Sequence, residues 1–186
     1  HSLGRHEESL ARAAAVLAIT PRHRLHDEAG FARAENLFVL HRYDEAERAY
    51  GELAAAPAYT EKVQWKVAWC HYLRGDHAGA AERFAALATG ASGFAEEALA
   101  MQALALLEAG QADAALATAD RYRARHANGA FLDRTERIAA RVLRERGDLA
   151  AAQKRLDRAA AAAMGAERTA DVRGDRLEQA ELAYLQ

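Results

Sequence analysis

Apolar residues recur along the chain three and four positions apart, in stretches of about 14 residues that short polar turns separate. This spacing places apolar side chains on one face of an α-helix, whereas a half-buried strand would alternate at every second position. A glycine followed by a polar residue ends three of these stretches, at Gly75, Gly110 and Gly147. The pattern therefore predicts a succession of short helices.

The composition strengthens the helical interpretation. Fifty of the 186 residues are alanine, and only Pro21 and Pro57 interrupt the length. Alanine is the best helix former and one of the poorer strand formers, so an all-β or doubly wound α/β fold is excluded. Since so many apolar side chains are small, the core fills well only where helices approach each other closely.

A fixed period emerges when the polar turns are aligned. Small residues recur at intervals of 37, 34, 35 and 37 residues, at Ser9, Ala46, Ala80, Ala115 and Ala152. A second small residue lies twelve positions earlier in each complete unit, at Ala34, Ala68, Ala103 and Ala140, and Ala180 continues that series. Paired helices repeating with a period in the mid-thirties are typical of a solenoid.

The unit at 60–90 resembles a tetratricopeptide repeat (TPR), a motif of two antiparallel helices called A and B. The matching positions are Ala68, Gly75, Asp76, Ala80, Phe84 and Leu87. The preceding unit matches at Leu37, Tyr43, Ala46, Tyr50 and Leu53, and Pro57 closes it. The resemblance covers nearly the whole chain, and it implies an all-α fold, a right-handed superhelix of antiparallel helix pairs.

The chain also departs from the TPR pattern. Gln64, Leu99 and Glu136 replace an early tryptophan, and His71 stands where tyrosine is usual. These departures leave open a related helical-repeat family with about 35 to 40 residues per unit.

The alignment predicts one repeat domain over 1–186. Its four complete units span about 24–57, 60–90, 93–127 and 130–164. Partial units at 1–21 and 170–186 flank them, so we expect the chain to be a fragment of a longer protein. The alternatives are that the terminal helices cap the array or that an oligomer covers them.

The repeat assigns specific roles to its small residues. The paired alanines should lie where helices cross, since a larger side chain there would overpack the contact, and Ala68 should face Ala80. Gly75, Gly110 and Gly147 should end A helices in a left-handed turn, which glycine adopts without steric cost.

The TPR resemblance also implies which residues line the concave side of the superhelix. In the unit at 60–90 they are Lys62, Trp65, Trp69 and Tyr72. Neighbouring units add Phe31, Glu35, Phe38 and Leu104. Large aromatic side chains in an open groove are common anchors for partners. The alternative is that Trp65 and Trp69 belong to the core, because aromatic residues at helical spacing often serve packing.

Four arginines form a second candidate binding feature on the concave side of the superhelix. Arg134, Arg137, Arg141 and Arg144 are spaced three, four and three apart, which places them on one helix face. Such a stripe could hold a carboxylate-rich or phosphorylated peptide by bidentate hydrogen bonds. Alternatively it is a solvated stripe offset by Glu136 and Glu145, or by Glu178 and Glu181 of the following helix.

Together the two features predict a protein-interaction scaffold. Its partner would be a protein or peptide, extended or helical, with apolar residues at one end and acidic residues at the other. The alternative is a non-catalytic superhelical spacer or sensor region of a larger enzyme or regulator. The TPR subtype that clamps a terminal carboxylate is not expected, because Phe31 and Glu35 occupy positions where it needs lysine and asparagine.

Charge and composition argue against other classes. The formal net charge of −2 offers no field for nucleic acid, and no apolar stretch approaches the length of a membrane-spanning helix. A lone cysteine excludes an internal disulfide without deciding the compartment, although the cytoplasm is favoured over the periplasm.

No catalytic, metal or cofactor site is predicted. His23, His26, Asp27 and Glu28 are the densest group of possible metal ligands, but nothing nearby completes a zinc site. Cys70 and His71 point about 100° apart on a helix and cannot act as nucleophile and base.

Overall fold

The computed structural model describes residues 2–19, 25–53, 56–90 and 92–165, and every regular element in these ranges is a helix. The helices are α1 (Ser2–Leu17), α2 (His26–Val39), α3 (Tyr43–Gly51), α4 (Thr60–Leu73), α5 (His77–Thr89), α6 (Ala95–Glu108), α7 (Ala112–Arg125), α8 (Leu132–Glu145) and α9 (149–165). None of the described helices combines the length and apolar content that crossing a membrane requires.

The helices form a linear array. From α1 to α8 each helix packs against the next one in the chain, and α6 also packs directly against α8. In the repeat scheme α2, α4, α6 and α8 are A helices, and α3, α5, α7 and α9 are B helices. The predicted all-α solenoid of helix pairs is thus confirmed. The unit boundaries stay a prediction, and the partial unit at 170–186 lies outside the described residues.

The four turns from an A helix to a B helix share one backbone geometry. Gly75, Gly110 and Gly147 have φ angles of 90°, 74° and 81°, so the predicted left-handed turns are confirmed. The equivalent residue of the first turn is His41, with φ at 60°. In each turn the amide that follows this residue donates to a carbonyl five residues back, at 2.9 or 3.0 Å: Arg42 to Leu37, Asp76 to His71, Gln111 to Leu106 and Asp148 to Leu143. This Schellman-type closure satisfies carbonyls at the end of each A helix.

The paired small residues of the repeat are buried. All eight paired alanines are at most 5 % exposed: Ala34, Ala46, Ala68, Ala80, Ala103, Ala115, Ala140 and Ala152. Ala68 and Ala80 belong to the same core cluster, together with Phe84. Close packing at these positions explains why the sequence is rich in alanine and still forms a dense interior.

Helix α4 joins two hydrophobic clusters. Its Val63, Val67 and Cys70 pack towards α2 and α3. Its Trp65 and Ala68 pack towards α5 and α6 instead. The middle of the array is therefore held from both sides of one helix.

Acidic side chains at the start of two A helices reach forward to the next A helix. The Glu61 carboxylate accepts from the Gly93 amide at 2.6 Å, just before α6 begins. The Glu96 carboxylate accepts from the Ala130 amide at 2.8 Å, just before α8, and from the Tyr122 hydroxyl at 2.6 Å. Each carboxylate fixes the loop that leads into the following helix pair.

Candidate partner-binding surface

The predicted concave face changes character along the array. Its residues on α2 and α4 are mostly aromatic, Leu104 on α6 is aliphatic, and those on α8 are the four arginines. The repeat scheme, in which the A helices stand in sequence order, predicts that these side chains form a strip that is apolar at one end and cationic at the other.

Trp65 is a core residue and does not line an open groove. Its side chain is 8 % exposed. The indole stacks on Phe94, with ring centroids 4.9 Å apart and planes 7° from parallel, and meets Phe84 edge-on at 5.4 Å. The expectation that Trp65 anchors a partner is therefore wrong, because the loop residue before α6 covers it.

Trp69 and Tyr72 remain half-buried at the edge of that core. The Trp69 ring meets Tyr72 edge-on at 5.6 Å and Phe84 at 6.0 Å, so one part of the indole is held while the rest faces outward. Leu104 packs against the same cluster and is also half-buried. Lys62 lies exposed at the first turn of α4.

The side chains at the α2 end of the strip are engaged in contacts within the protein. Glu35 accepts hydrogen bonds from the Tyr50 hydroxyl and from Lys66 Nζ, the latter at 2.8 Å. The same ammonium lies 4.7 Å from the centroid of the Phe38 ring, a cation–π contact. Phe31 packs on Tyr59 with centroids 5.0 Å apart.

Glu35 is therefore a structural residue that links α2 to α4. Burial, followed by the hydrogen bond to Glu35, raises the pKa of Tyr50 well above its ordinary value, so the hydroxyl stays a donor. Sequence reasoning missed Lys66, because an isolated lysine beside a tryptophan carries no periodic signal.

A cleft of about 310 Å³ separates the strip's aliphatic part from its arginines. Its lining residues are Leu104, Leu107, Asp133, Arg134, Arg137, Ile138 and Arg141. Leu107 and Ile138 are almost fully buried and form the apolar floor. The structure thus brings together residues of α6 and α8 that lie about one repeat apart in the sequence. Sequence reasoning did not single out Ile138 or Asp133.

All four arginines are exposed, and their partners are unevenly distributed. Arg141 pairs with Glu145 at 3.1 Å and with Glu108 at 3.2 Å, and these contacts raise its pKa, with the Glu145 hydrogen bond as the largest cause. Arg137 approaches Asp133 only to 4.0 Å.

The two outer arginines have no carboxylate partner within the described ranges. Arg134 lies over the Phe131 ring at 5.8 Å and contacts Met101 Sδ at 3.5 Å. Arg144 projects from the last turn of α8. Three of the four guanidinium groups in the stripe therefore keep N–H donors available for a ligand.

Glu136 does not offset the arginine stripe, contrary to expectation. Its side chain is 1 % exposed and faces the other side of α8. Arg155 of α9 binds both of its oxygens at 3.2 and 3.3 Å, and Arg123 of α7 lies 3.6 Å away. Of the expected acidic neighbours, Glu145 does pair with the stripe, while Glu178 and Glu181 lie outside the described residues.

Cys70 and His71 are structural. Cys70 is fully buried, and burial raises the pKa of its thiol to about 12, so the thiolate needed for nucleophilic attack does not form near neutral pH. The His71 ring nitrogens lie 2.6 Å from Asp76 and 3.0 Å from Glu47, which ties α3 and α4 to the start of α5.

The possible metal ligands do not assemble in the described part of the chain. No group of three or more histidine, cysteine, aspartate or glutamate side chains there has a geometry for a metal ion. His26 and Asp27 are neighbours at the start of α2, with Glu28 exposed beside them, and His23 lies outside the described residues.

Comparison with known proteins identifies the architecture. No family model and no curated protein matches the sequence. The crystal structure of MamA superposes with a TM-score of 0.71 at 11 % identity, covering 89 % of this chain and 92 % of that chain. A double mutant of MamA from RS-1 superposes at 0.68 with 13 % identity, covering 91 % and 89 %.

A putative kinesin light chain of Podospora anserina, with nearly identical TPR-like repeats, superposes at 0.63 with 17 % identity, covering 89 % of this chain and 87 % of that one. At such low identities these likenesses show a TPR-like fold alone.

Proposed function

We propose that this TPR-like solenoid is a scaffold that binds a segment of a partner protein along its concave face. Two observations support the proposal: the half-buried Trp69, Tyr72 and Leu104 pack against one core cluster, and Leu104 also lines the arginine-walled cleft. Linear helix arrays present such extended surfaces instead of a closed pocket.

The aromatic end supplies most of the affinity. Tryptophan and tyrosine dominate binding energy at interfaces, because their large flat surfaces lose little entropy when they are covered. Trp69 is preorganised, since its ring is already fixed against Phe84 and Tyr72. The partner therefore places apolar side chains at this end.

The cationic end supplies orientation. Exposed charges add little to affinity singly, but a stripe of one sign steers a segment of the opposite sign and sets its direction. The partner therefore places acidic side chains against α8. Phe31, Glu35 and Phe38, locked by Lys66 and the neighbouring tyrosines, form the rigid border of the strip beyond Trp69.

Affinity capture with quantitative mass spectrometry tests the aromatic end. Wild type is compared with the double variant Trp69→Ala with Tyr72→Ala, and with Leu149→Ala as a matched loss of exposed apolar surface on α9. A protein captured by wild type and by the control, and lost from the double variant, supports the proposal. Equal capture by all three proteins, with helical circular dichroism intact, contradicts it.

A charge-reversal pair tests the cationic end on the same partner. Arg137→Glu with Arg141→Glu should weaken binding and flatten its salt dependence. Arg121→Glu with Arg125→Glu makes the same change in charge on exposed positions of α7 and should leave binding intact. If both pairs weaken binding equally, net charge is responsible and the stripe has no specific role.

A further inference from the structure

Two rows of side chains run side by side on α6 and α8. The aliphatic row consists of Leu104 and Leu107, three positions apart on α6, with Ile138 of α8 on the floor between the helices. The arginine row consists of Arg134, Arg137, Arg141 and Arg144 on α8. Because α6 packs directly on α8, a ligand that lies in the cleft touches the aliphatic row together with Arg134, Arg137 and Arg141, and Arg144 continues the arginine row one helical turn beyond the cleft.

The spacing of the arginine row discriminates between ligand conformations. At about 1.5 Å per residue, its members lie at about 0, 4.5, 10.5 and 15 Å along the helix axis. A strand places side chains on one side every ~6.6 Å, at about 0, 6.6 and 13.2 Å, and falls out of step after one contact. A helix with acidic residues at the same spacing of three, four and three meets every arginine, in either chain direction.

We propose that the segment bound at this end is an amphipathic α-helix with an acidic stripe and, directly beside it, an aliphatic stripe. This rests on the proposed scaffold function and names the class of its partner. On a helix, neighbouring residues point about 100° apart, so the two stripes arise from adjacent residues. The recognised pattern is a glutamate or aspartate next to an aliphatic residue, repeated every three or four positions.

The state of the arginines favours carboxylates as the ligand groups. Arg134 and Arg144 have no carboxylate neighbour among the described residues, and Arg137 has one only at 4.0 Å. A guanidinium offers five donors in a planar fork that matches a carboxylate, so each can accept a bidentate partner without losing an existing bond. Arg134 is held in place by Phe131 and Met101, which lowers the entropy that binding costs.

The aliphatic row makes the site more than an electrostatic surface. Arginine contacts alone would bind any acidic segment, whereas the apolar side of the cleft, where the half-buried Leu104 is the accessible side chain, is covered only when aliphatic side chains stand beside the acidic ones. A helical ligand with its acidic and aliphatic stripes on opposite faces contacts either the arginine row or the aliphatic row and leaves the other row exposed to water.

Fluorescence anisotropy with synthetic peptides tests the inference. The probe is an alanine-rich helical peptide of about five turns that carries four glutamates at the three-four-three spacing, each followed by a leucine. A mirrored probe has each leucine before the glutamate. The control peptide has the same composition, with the leucines moved to the opposite face. A fourth peptide alternates glutamate and leucine between prolines and stays extended.

We expect one of the two matched helices to bind at least about tenfold more tightly than the control peptide and the extended peptide. Leu104→Ser should remove that preference and leave the salt dependence, while Arg137→Glu with Arg141→Glu should remove binding. Equal binding of matched and control helices would overturn the inference, as would tighter binding of the extended peptide.

Failure of this inference is distinguishable from failure of the scaffold function. If the extended peptide binds more tightly than the helical peptides while capture of the partner still depends on Trp69 and Arg137, the scaffold function stands and the helical ligand is wrong. If no peptide binds and the capture variants also lose nothing, the concave face is not a binding surface and both proposals fall.

Discussion

The indole of Trp65 lies parallel to the ring of Phe94, with the two centroids 4.9 Å apart, and this stack joins α4 to the loop that starts α6. Replacing Trp65 by alanine removes a buried aromatic side chain and leaves a cavity. We expect the free energy of unfolding to fall by about 3–5 kcal/mol, the usual cost of truncating a large core aromatic residue. Urea denaturation followed by circular dichroism measures it.

Trp69→Ala is the internal comparison for that experiment. Trp69 is half-buried and shares only part of its surface with the core, so its loss should cost clearly less stability than the loss of Trp65. Equal costs would mean that Trp69 also belongs to the core, and the aromatic end of the binding strip would lose its anchor.

His41→Gly should stabilise the protein. His41 has a φ of 60°, where the three equivalent turns have glycine, and a residue with a Cβ pays about 1–2 kcal/mol for that conformation. Glycine makes the unfolded chain more flexible and gives up the 2.6 Å contact between His41 and the Tyr43 hydroxyl, so we expect a net gain of about 1 kcal/mol or less. Thermal and urea unfolding report the change.

Gly75→Ala is the reverse substitution in the next turn. It places a Cβ at a φ of 90° and should destabilise by about 1 kcal/mol or more. A loss of stability in His41→Gly would show that the histidine ring contributes more than its backbone conformation costs.

The carboxylates around His71 should make the protein sensitive to acid. The hydrogen bond from His71, and next the one from the Gly79 amide, lower the pKa of Asp76 below its ordinary value of 3.8. Burial raises the pKa of Glu47, but hydrogen bonds from His71 and Arg74 outweigh it, and the net pKa lies below 4.5.

Because both folded-state pKa values are lowered, the unfolded chain binds more protons in the acid range, so stability rises with pH there. We expect the free energy of unfolding to fall as the pH drops below about 4.5, and to keep falling through the folded-state pKa values. Asp76→Asn keeps a side-chain acceptor for the Gly79 amide and removes the charge. Its stability should therefore depend less on pH, and an unchanged slope would contradict the assignment.

The Glu136–Arg155 pair should tolerate joint replacement better than single replacement. Arg155→Met leaves Glu136, whose side chain is 1 % exposed, with Arg123 at 3.6 Å as its remaining cationic partner among the described residues, which should cost about 3–5 kcal/mol. Adding Glu136→Leu removes the buried charge and should recover most of the loss, because Asp120, which also binds Arg155, keeps its contact with Arg123. Denaturant unfolding of both single variants and the double variant gives the coupling energy, and additive effects would rule out a specific pair.

The fold followed from the sequence because its determinants are local and repeated. The glycines at 75, 110 and 147 identify left-handed turns by themselves, and the alanine series identifies buried interhelical positions by its period. Neither inference requires knowledge of which helices meet.

The residues of the candidate site were harder to predict because their environment comes from distant segments. Trp65 has the spacing of a groove residue, yet Phe94, 29 positions away, covers it. Glu136 looks like a surface acid until Arg155 of another helix neutralises it in the interior. His41 breaks the glycine rule at its turn, and nothing in its neighbouring residues signals that exception.

The forward-reaching carboxylates Glu61 and Glu96 give the array a direction. Each belongs to one helix pair and holds the entrance of the next, at Gly93 and Ala130 respectively. When a later pair unravels, the earlier one keeps all the bonds at its own entrance. Local unfolding of either pair consequently breaks the bond at the shared junction, and when the earlier pair unravels, the pair on its carboxyl side loses the acceptor that holds the start of its first helix.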